Sequence, residues 1–319
     1  MSAAQPKPPD ALVLGGGGVL GEAWMTALLA GVAEGGGFDA REASCFLGTS
    51  AGSIVAASLA GGIAPGDRLE REGTPAAPAA GEEWPAAAEA ERASLPGALA
   101  AAIQMGGSAA APLASFALSS TAPGGAVVRR AMLRRVPEGT RSLAALGQVV
   151  AMATAGFDGR LLVSAVELDS GRRVIFGAEG APPATVPQAV MASCAIPGFF
   201  APIEIGGRRY VDGGAWSPTN MDALPVQSGE RVLCLNPTGS LRPSTRALAG
   251  AFGPVSRTVS GSEALALRHR GASVQTVNPD EASTAAMGTN LMSRRRRAEV
   301  IDAGRAQGVR LALSDARAA

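Results

Sequence analysis

Gly48-Thr49-Ser50-Ala51-Gly52 fits the pattern G-x-S-x-G. In that pattern a strand turns sharply into a helix. The flanking glycines clear space, and the serine hydroxyl projects at the helix N-terminus as a nucleophile. The plainer reading is a strand–helix turn capped by a small polar residue. Ser44 to Leu47 before it and Ser53 to Ala60 after it supply the strand and helix that a nucleophile requires. A second glycine run, Gly15-Gly16-Gly17-Gly18-Val19-Leu20-Gly21, also follows a short apolar segment and opens a helical pattern. Backbone N–H groups in such a loop converge on an anion. That anion could be the oxyanion of an attacked carbonyl. It could also be a dinucleotide pyrophosphate, since Gly16-x-Gly18-x-x-Gly21 fits G-x-G-x-x-G. Asp39 lies near the spacing of a ribose-binding acid. Its context is wrong, because Gly35-Gly36-Gly37-Phe38 precedes it and the strand comes after it.

A serine hydroxyl needs a neighbour to take its proton. His269 is the only histidine in the chain. The order Ser50, Asp212, His269 matches that of α/β-hydrolase triads. His269, however, lies in the Arg-rich helical stretch Leu265 to Arg270, which reads as a solvated helix end. Asp212-Gly213-Gly214 follows an apolar strand pattern and is ordinary turn chemistry taken alone. Beside a serine nucleophile, Asp212 becomes a candidate base in its own right. A triad and a two-residue dyad both stand at this point.

Ala11-Leu12-Val13-Leu14-Gly15-Gly16-Gly17-Gly18, Gly48 to Gly52, Ala192-Ser193-Cys194-Ala195-Ile196-Pro197-Gly198 and Val211-Asp212-Gly213-Gly214 occur in that order. The ordered set resembles the patatin-like phospholipases, and the resemblance covers nearly the whole chain. It implies a three-layer α/β sandwich around a central, largely parallel sheet, and a lipid acyl hydrolase. It implies Ser50 as nucleophile, Asp212 as its base, and the N–H groups of Gly16, Gly17 and Gly18 as the oxyanion hole. Gly48, Gly52, Gly213 and Gly214 support the two turns. The resemblance also implies independence of calcium, with no metal and no cofactor. Leu20 stands where many members carry Arg or Lys, so a cation that could meet an anionic headgroup is missing there. The implied substrate is a lipid or other acyl ester, met in transient contact with a membrane surface. The alternatives are a non-catalytic or regulatory lipid-binding protein on the same scaffold, a Ser50–Asp212–His269 esterase, and a dinucleotide-binding oxidoreductase.

These residues need elements to hold them. Short apolar runs alternate with helical patterns along the 319 residues, which argues an α/β fold with a largely parallel sheet. Ala11 to Leu14, Ser44 to Leu47, Leu161 to Val166, Arg173 to Phe176, Ile203 to Ile205, Arg208 to Val211, Val232 to Leu235 and Ser273 to Val277 are predicted strands. Helices are predicted after Gly18, over 51–60, 143–155, 185–193, 241–270 and 293–309. Residues 1–10 read as a disordered tail. Residues 11–319 read as a single hydrolase domain, with an Ala/Gly/Pro-rich insertion or lid over 64–125. The chain is 47% apolar and 17% charged, which suits a buried core. Its net charge of +1 offers no footprint for nucleic acid. Arg294-Arg295-Arg296-Arg297 reads as the solvated side of the last helix. Cys45, Cys194 and Cys234 are far apart and form no metal-ligand spacing, consistent with reduced thiols. No apolar leader or transmembrane run is evident. The expected location is cytoplasmic, peripheral to a membrane at most. Nothing in the sequence fixes the oligomeric state.

Overall fold

A computed structural model describes residues 7–73, 125–153, 156–241 and 252–318. In chain order the elements are β1 (Ala11–Leu14), α1 (Gly18–Glu34), β2 (Cys45–Thr49), α2 (Ala51–Ala60), α3 (Pro65–Gly73), α4 (Gly125–Leu133) and α5 (Ala144–Ala153). There follow β3 (Leu161–Glu167), β4 (Arg173–Phe176), α6 (Val186–Cys194), β5 (Ile203–Ile205), β6 (Arg208–Asp212) and β7 (Arg231–Leu235). The last are α7 (Phe252–His269), β8 (Ser273–Val277), α8 (Glu281–Met287) and α9 (Arg297–Ala318).

The strands form one eight-stranded sheet in the order β5-β6-β3-β2-β1-β7-β8, with β4 also paired to β3. β3, β2, β1, β7 and β8 run parallel to their neighbours, while β4, β5 and β6 form an antiparallel flank. Successive side chains of a strand point to opposite faces, and the core divides accordingly. Leu12, Leu14, Phe46 and Val163 pack with Trp24, Leu28, Val55 and Val190 on one face. Ala11, Val13, Leu47 and Val232 pack with Ala264 and Leu267 of α7 on the other. Strands buried on both faces explain why these segments read as unbroken apolar runs. Helix, sheet and helix thus make the three layers.

Local chemistry sets several boundaries. Thr185 caps α6 and closes a capping box with Gln188. Gly206 and Gly207 both adopt left-handed backbone in the two-residue turn between β5 and β6.

The structure also departs from several sequence expectations. Lys7 to Asp10, read as part of a free tail, are held against β7. Arg231 donates to the carbonyls of Lys7 and Pro8, and its N–H donates to Asp10 at 2.8 Å. The 64–125 region begins with α3, whose Arg68 reaches the buried Glu22 of α1. Most of that expected insertion lies outside the described residues. The helix predicted over 241–270 is described from Phe252 onward. The last helix starts at Arg297 rather than near Ser293, and α8 was not foreseen. Among the described residues no helix is long and apolar enough to cross a membrane.

Candidate active site

The site forms where β1 and β2 end side by side. Leu14 is in register with Gly48, so the glycine loop after β1 and the serine turn after β2 emerge as neighbours. Such ends of parallel strands, facing helix N-termini, are the usual place for a ligand in an open α/β sheet. Ser50 holds φ +51°, ψ −121°, in the left-handed range that a non-glycine residue rarely adopts. It precedes α2 at the cap position, yet its hydroxyl makes no capping bond. Instead Ser50 Oγ donates to Asp212 Oδ2 at 2.7 Å. The two glycines of the turn are required by close approach. A Cβ on Gly52 would run into the Leu14 carbonyl, and one on Gly48 into the backbone of Ser53.

Asp212 ends β6 and is 1% exposed. Its Oδ1 accepts the Gly214 N–H at 2.6 Å. Burial pushes its carboxyl up to about 7, against the opposing pull of the Ser50 and Gly214 hydrogen bonds. A carboxylate raised in this way is a stronger base than an exposed one.

Gly16, Gly17 and Gly18 all lie in the loop beside Ser50, but they are not equivalent. The Gly16 N–H donates to the Pro218 carbonyl at 2.9 Å and so is engaged within the fold. Gly17 precedes α1, and Gly18 opens it with φ +61°. Their N–H groups belong to the helix start, where N–H groups have no intrahelical partner. Gly213 and Gly214 begin a short 3-10 turn beneath Asp212.

The structure separates the other candidates from this cluster. His269 ends α7, just before β8 begins, and is exposed. Ser50 follows the far end of β2, three strands away. Strand spacing and rise put the two on the order of 20 Å apart. Asp39 caps the turn Ala40–Glu42 and pairs with Arg41 ahead of β2, away from the glycine loop. Leu20 is fully buried in the main core. Arg297 pairs with the buried Glu22, so the arginine run is not simply a solvated helix face.

The structure adds a residue that sequence reasoning had seen only as part of a small-residue block. Ser193 Oγ accepts the Ser50 N–H at 2.8 Å, and two residues on the Ala195 carbonyl accepts the Asp212 N–H at 2.9 Å. One segment at the end of α6 thus grips the backbones of both Ser50 and Asp212. Cys194 between them is a buried thiol that burial pushes up, so it stays protonated. Among the described residues no group of three or more His, Cys, Asp or Glu side chains could hold a metal ion.

A serine at a sharp strand–helix turn, hydrogen-bonded to a buried aspartate on a layered α/β sheet, defines a hydrolase-type site. The sequence matches the family of patatin-like phospholipases over residues 12–225, and the chain belongs to that family. No curated protein matches the sequence. Two solved structures are similar to it at low identity. One is the type III effector protein ExoU, at 15% identity and a TM-score of 0.42, with 97% of this chain and 54% of that one covered. The other is VipD from Legionella pneumophila, at 14% identity and a TM-score of 0.45, with 96% of this chain and 67% of that one covered. The chain thus spans about half the length of the first of these.

Proposed function

We propose that the protein is a lipid acyl-ester hydrolase of the phospholipase A or lysophospholipase type, working through a Ser50–Asp212 dyad. The observation that carries the proposal is the 2.7 Å hydrogen bond from Ser50 Oγ to a buried carboxyl poised at about 7. Family membership supports a lipid substrate. Ser50 Oγ attacks the ester carbonyl carbon as Asp212 takes its proton. The N–H groups of Gly17 and Gly18 face the developing oxyanion, while Gly16 holds the loop in place through Pro218. Asp212 returns the proton to the departing alcohol, leaving Ser50 acylated. Water then gives a proton to Asp212 and its oxygen attacks the acyl carbon. The fatty acid leaves and Ser50 regains the proton. Contact with the lipid surface is transient in this reading.

A panel of phospholipids, lysophospholipids and short-chain esters tests the proposal. Ser50→Ala and Asp212→Asn are each expected to lower kcat on the order of 10⁴-fold. A fluorophosphonate probe should label wild type but not Ser50→Ala. His269→Ala should keep wild-type activity. If it loses as much activity as Ser50→Ala, the dyad gives way to a triad.

A further inference from the structure

We infer that Asn220 is a positioning residue for the reaction, tying the serine turn to the turn that carries Asp212. The inference rests on the dyad reading above. Asn220 is fully buried and holds φ +52°, one of two non-glycine residues with positive φ among those described. The other is Ser50. Asparagine tolerates this backbone better than most side chains.

Its amide nitrogen faces four oxygens. These are the Ser217 carbonyl at 2.8 Å, the Thr49 hydroxyl at 3.1 Å, the Ser164 hydroxyl at 3.2 Å and the Gly213 carbonyl at 3.2 Å. Carbonyls only accept, so the Ser217 and Gly213 partners fix which end of the amide points inward. Thr49 is the residue before Ser50, and Gly213 is the residue after Asp212. Ser164, in register with Thr49 on β3, bonds to Thr49 at 2.9 Å and completes the contact. One side chain therefore hydrogen-bonds to the immediate neighbours of both Ser50 and Asp212, and to neither of them itself.

The backbone around Asn220 is held in turn. Glu263 of α7 accepts the Thr219 hydroxyl at 2.5 Å and the Met221 N–H at 3.0 Å, on either side of Asn220. Arg173 of β4 donates to Asn220 Oδ1 at 3.4 Å while paired with Asp222. Glu263, Asp222 and Arg173 thus bring charged groups to Asn220 and its neighbours. A cage of this kind fixes two turns far apart in the sequence in one geometry. Misplacing reacting groups by about 1 Å can cost on the order of a hundredfold in rate. The same cage holds Gly213, so the next N–H, that of Gly214, stays on Asp212 Oδ1.

Asn220→Gly removes the amide, adds no charge and keeps left-handed backbone accessible. The expected result is a drop in kcat of about tenfold to about a hundredfold with KM within about twofold of wild type. The acid limb of kcat/KM should also move upward, because a loosened Gly214 N–H stabilises the Asp212 carboxylate less. Thr49→Val, which keeps side-chain shape and removes one partner, should lower kcat in the same sense and by less. The double variant should be no worse than Asn220→Gly, as coupled residues are non-additive. Unchanged kcat and acid limb in the folded single variants would overturn the inference. So would a loss of activity that only tracks the folded fraction, with the limb in place. Should Asn220→Gly fail to fold, Thr49→Val decides on the same two readouts. Ser50→Ala in parallel keeps the outcomes apart, since activity surviving there defeats the dyad instead.

Discussion

In the proposed reaction Asp212 must be ionised to take the proton of Ser50, and burial pushes its carboxyl up to about 7. On that reading activity is expected to fall as pH drops through 7 and to level off above it. We expect kcat/KM to be half-maximal near pH 7 on that limb, measured with a short-chain ester whose own ionisation does not change. A limb near pH 4 would mean that water reaches Asp212 and that burial does not tune it. At this scale the pairing of Ser50 with Asp212 was legible, because the G-x-S-x-G and D-G-G patterns pack glycines around a polar side chain in a stretch of few residues. Ser193, Asn220 and Glu263 were not, because their meaning lies in contacts across long spans of chain. Ser193 meets Ser50 at a separation of 143 residues, and Asn220 meets Thr49 at 171. A glycine run is equally ambiguous on its own. The Gly16 N–H is engaged by the Pro218 carbonyl, a contact set by where a distant loop arrives and invisible in the local pattern.

Elements whose residues are almost all buried were read nearly to the residue, as with β1 and α2. Their apolar runs are bounded by glycine, proline or charge, so local pattern and tertiary burial agree. The terminal segment was misread because arginines and small residues give weak helical periodicity there. Its start is fixed by a tertiary contact. Glu22 of α1 is buried and meets Arg68 of α3 at 3.0 Å and Arg297 of α9 at 3.1 Å. Burial pushes the Glu22 carboxyl up, but the two arginines outweigh it and hold it below its ordinary value. Three helices thus meet on one carboxylate. Glu22→Gln keeps the shape and leaves both guanidinium groups without this counter-charge. We expect it to lower unfolding free energy by about 2–3 kcal/mol in urea denaturation at pH 7. A loss below about 0.5 kcal/mol would mean the contact is no stronger than an exposed ion pair.

Across the whole molecule, the site's chemistry opposes its stability. Asp212 is held well above the value it has in an unfolded chain, and burial pushes Glu263 upward as well, reinforced by nearby Asp222. Between the unfolded and folded values, from about pH 4 to about 7, the folded protein keeps a proton that the unfolded chain has released. The stability this gives is complete below that window and is lost as pH rises through it, by up to about 1.4 kcal/mol per pH unit for each group. Glu22 works in the opposite direction, its contribution being present above its unfolded value and lost as pH falls. The protein therefore loses stability over the pH range in which Asp212 becomes competent. Asp212→Asn separates the two effects, because the amide keeps the shape and cannot ionise. We expect it to match wild type near pH 4 and to exceed it by a few kcal/mol, roughly, at pH 8, while being inactive at both. Urea unfolding at the two pH values measures the difference. An Asp212→Asn protein no more stable than wild type at pH 8 would show that ionising this buried carboxyl costs the fold nothing. The basicity assigned to Asp212 would then lack its physical source.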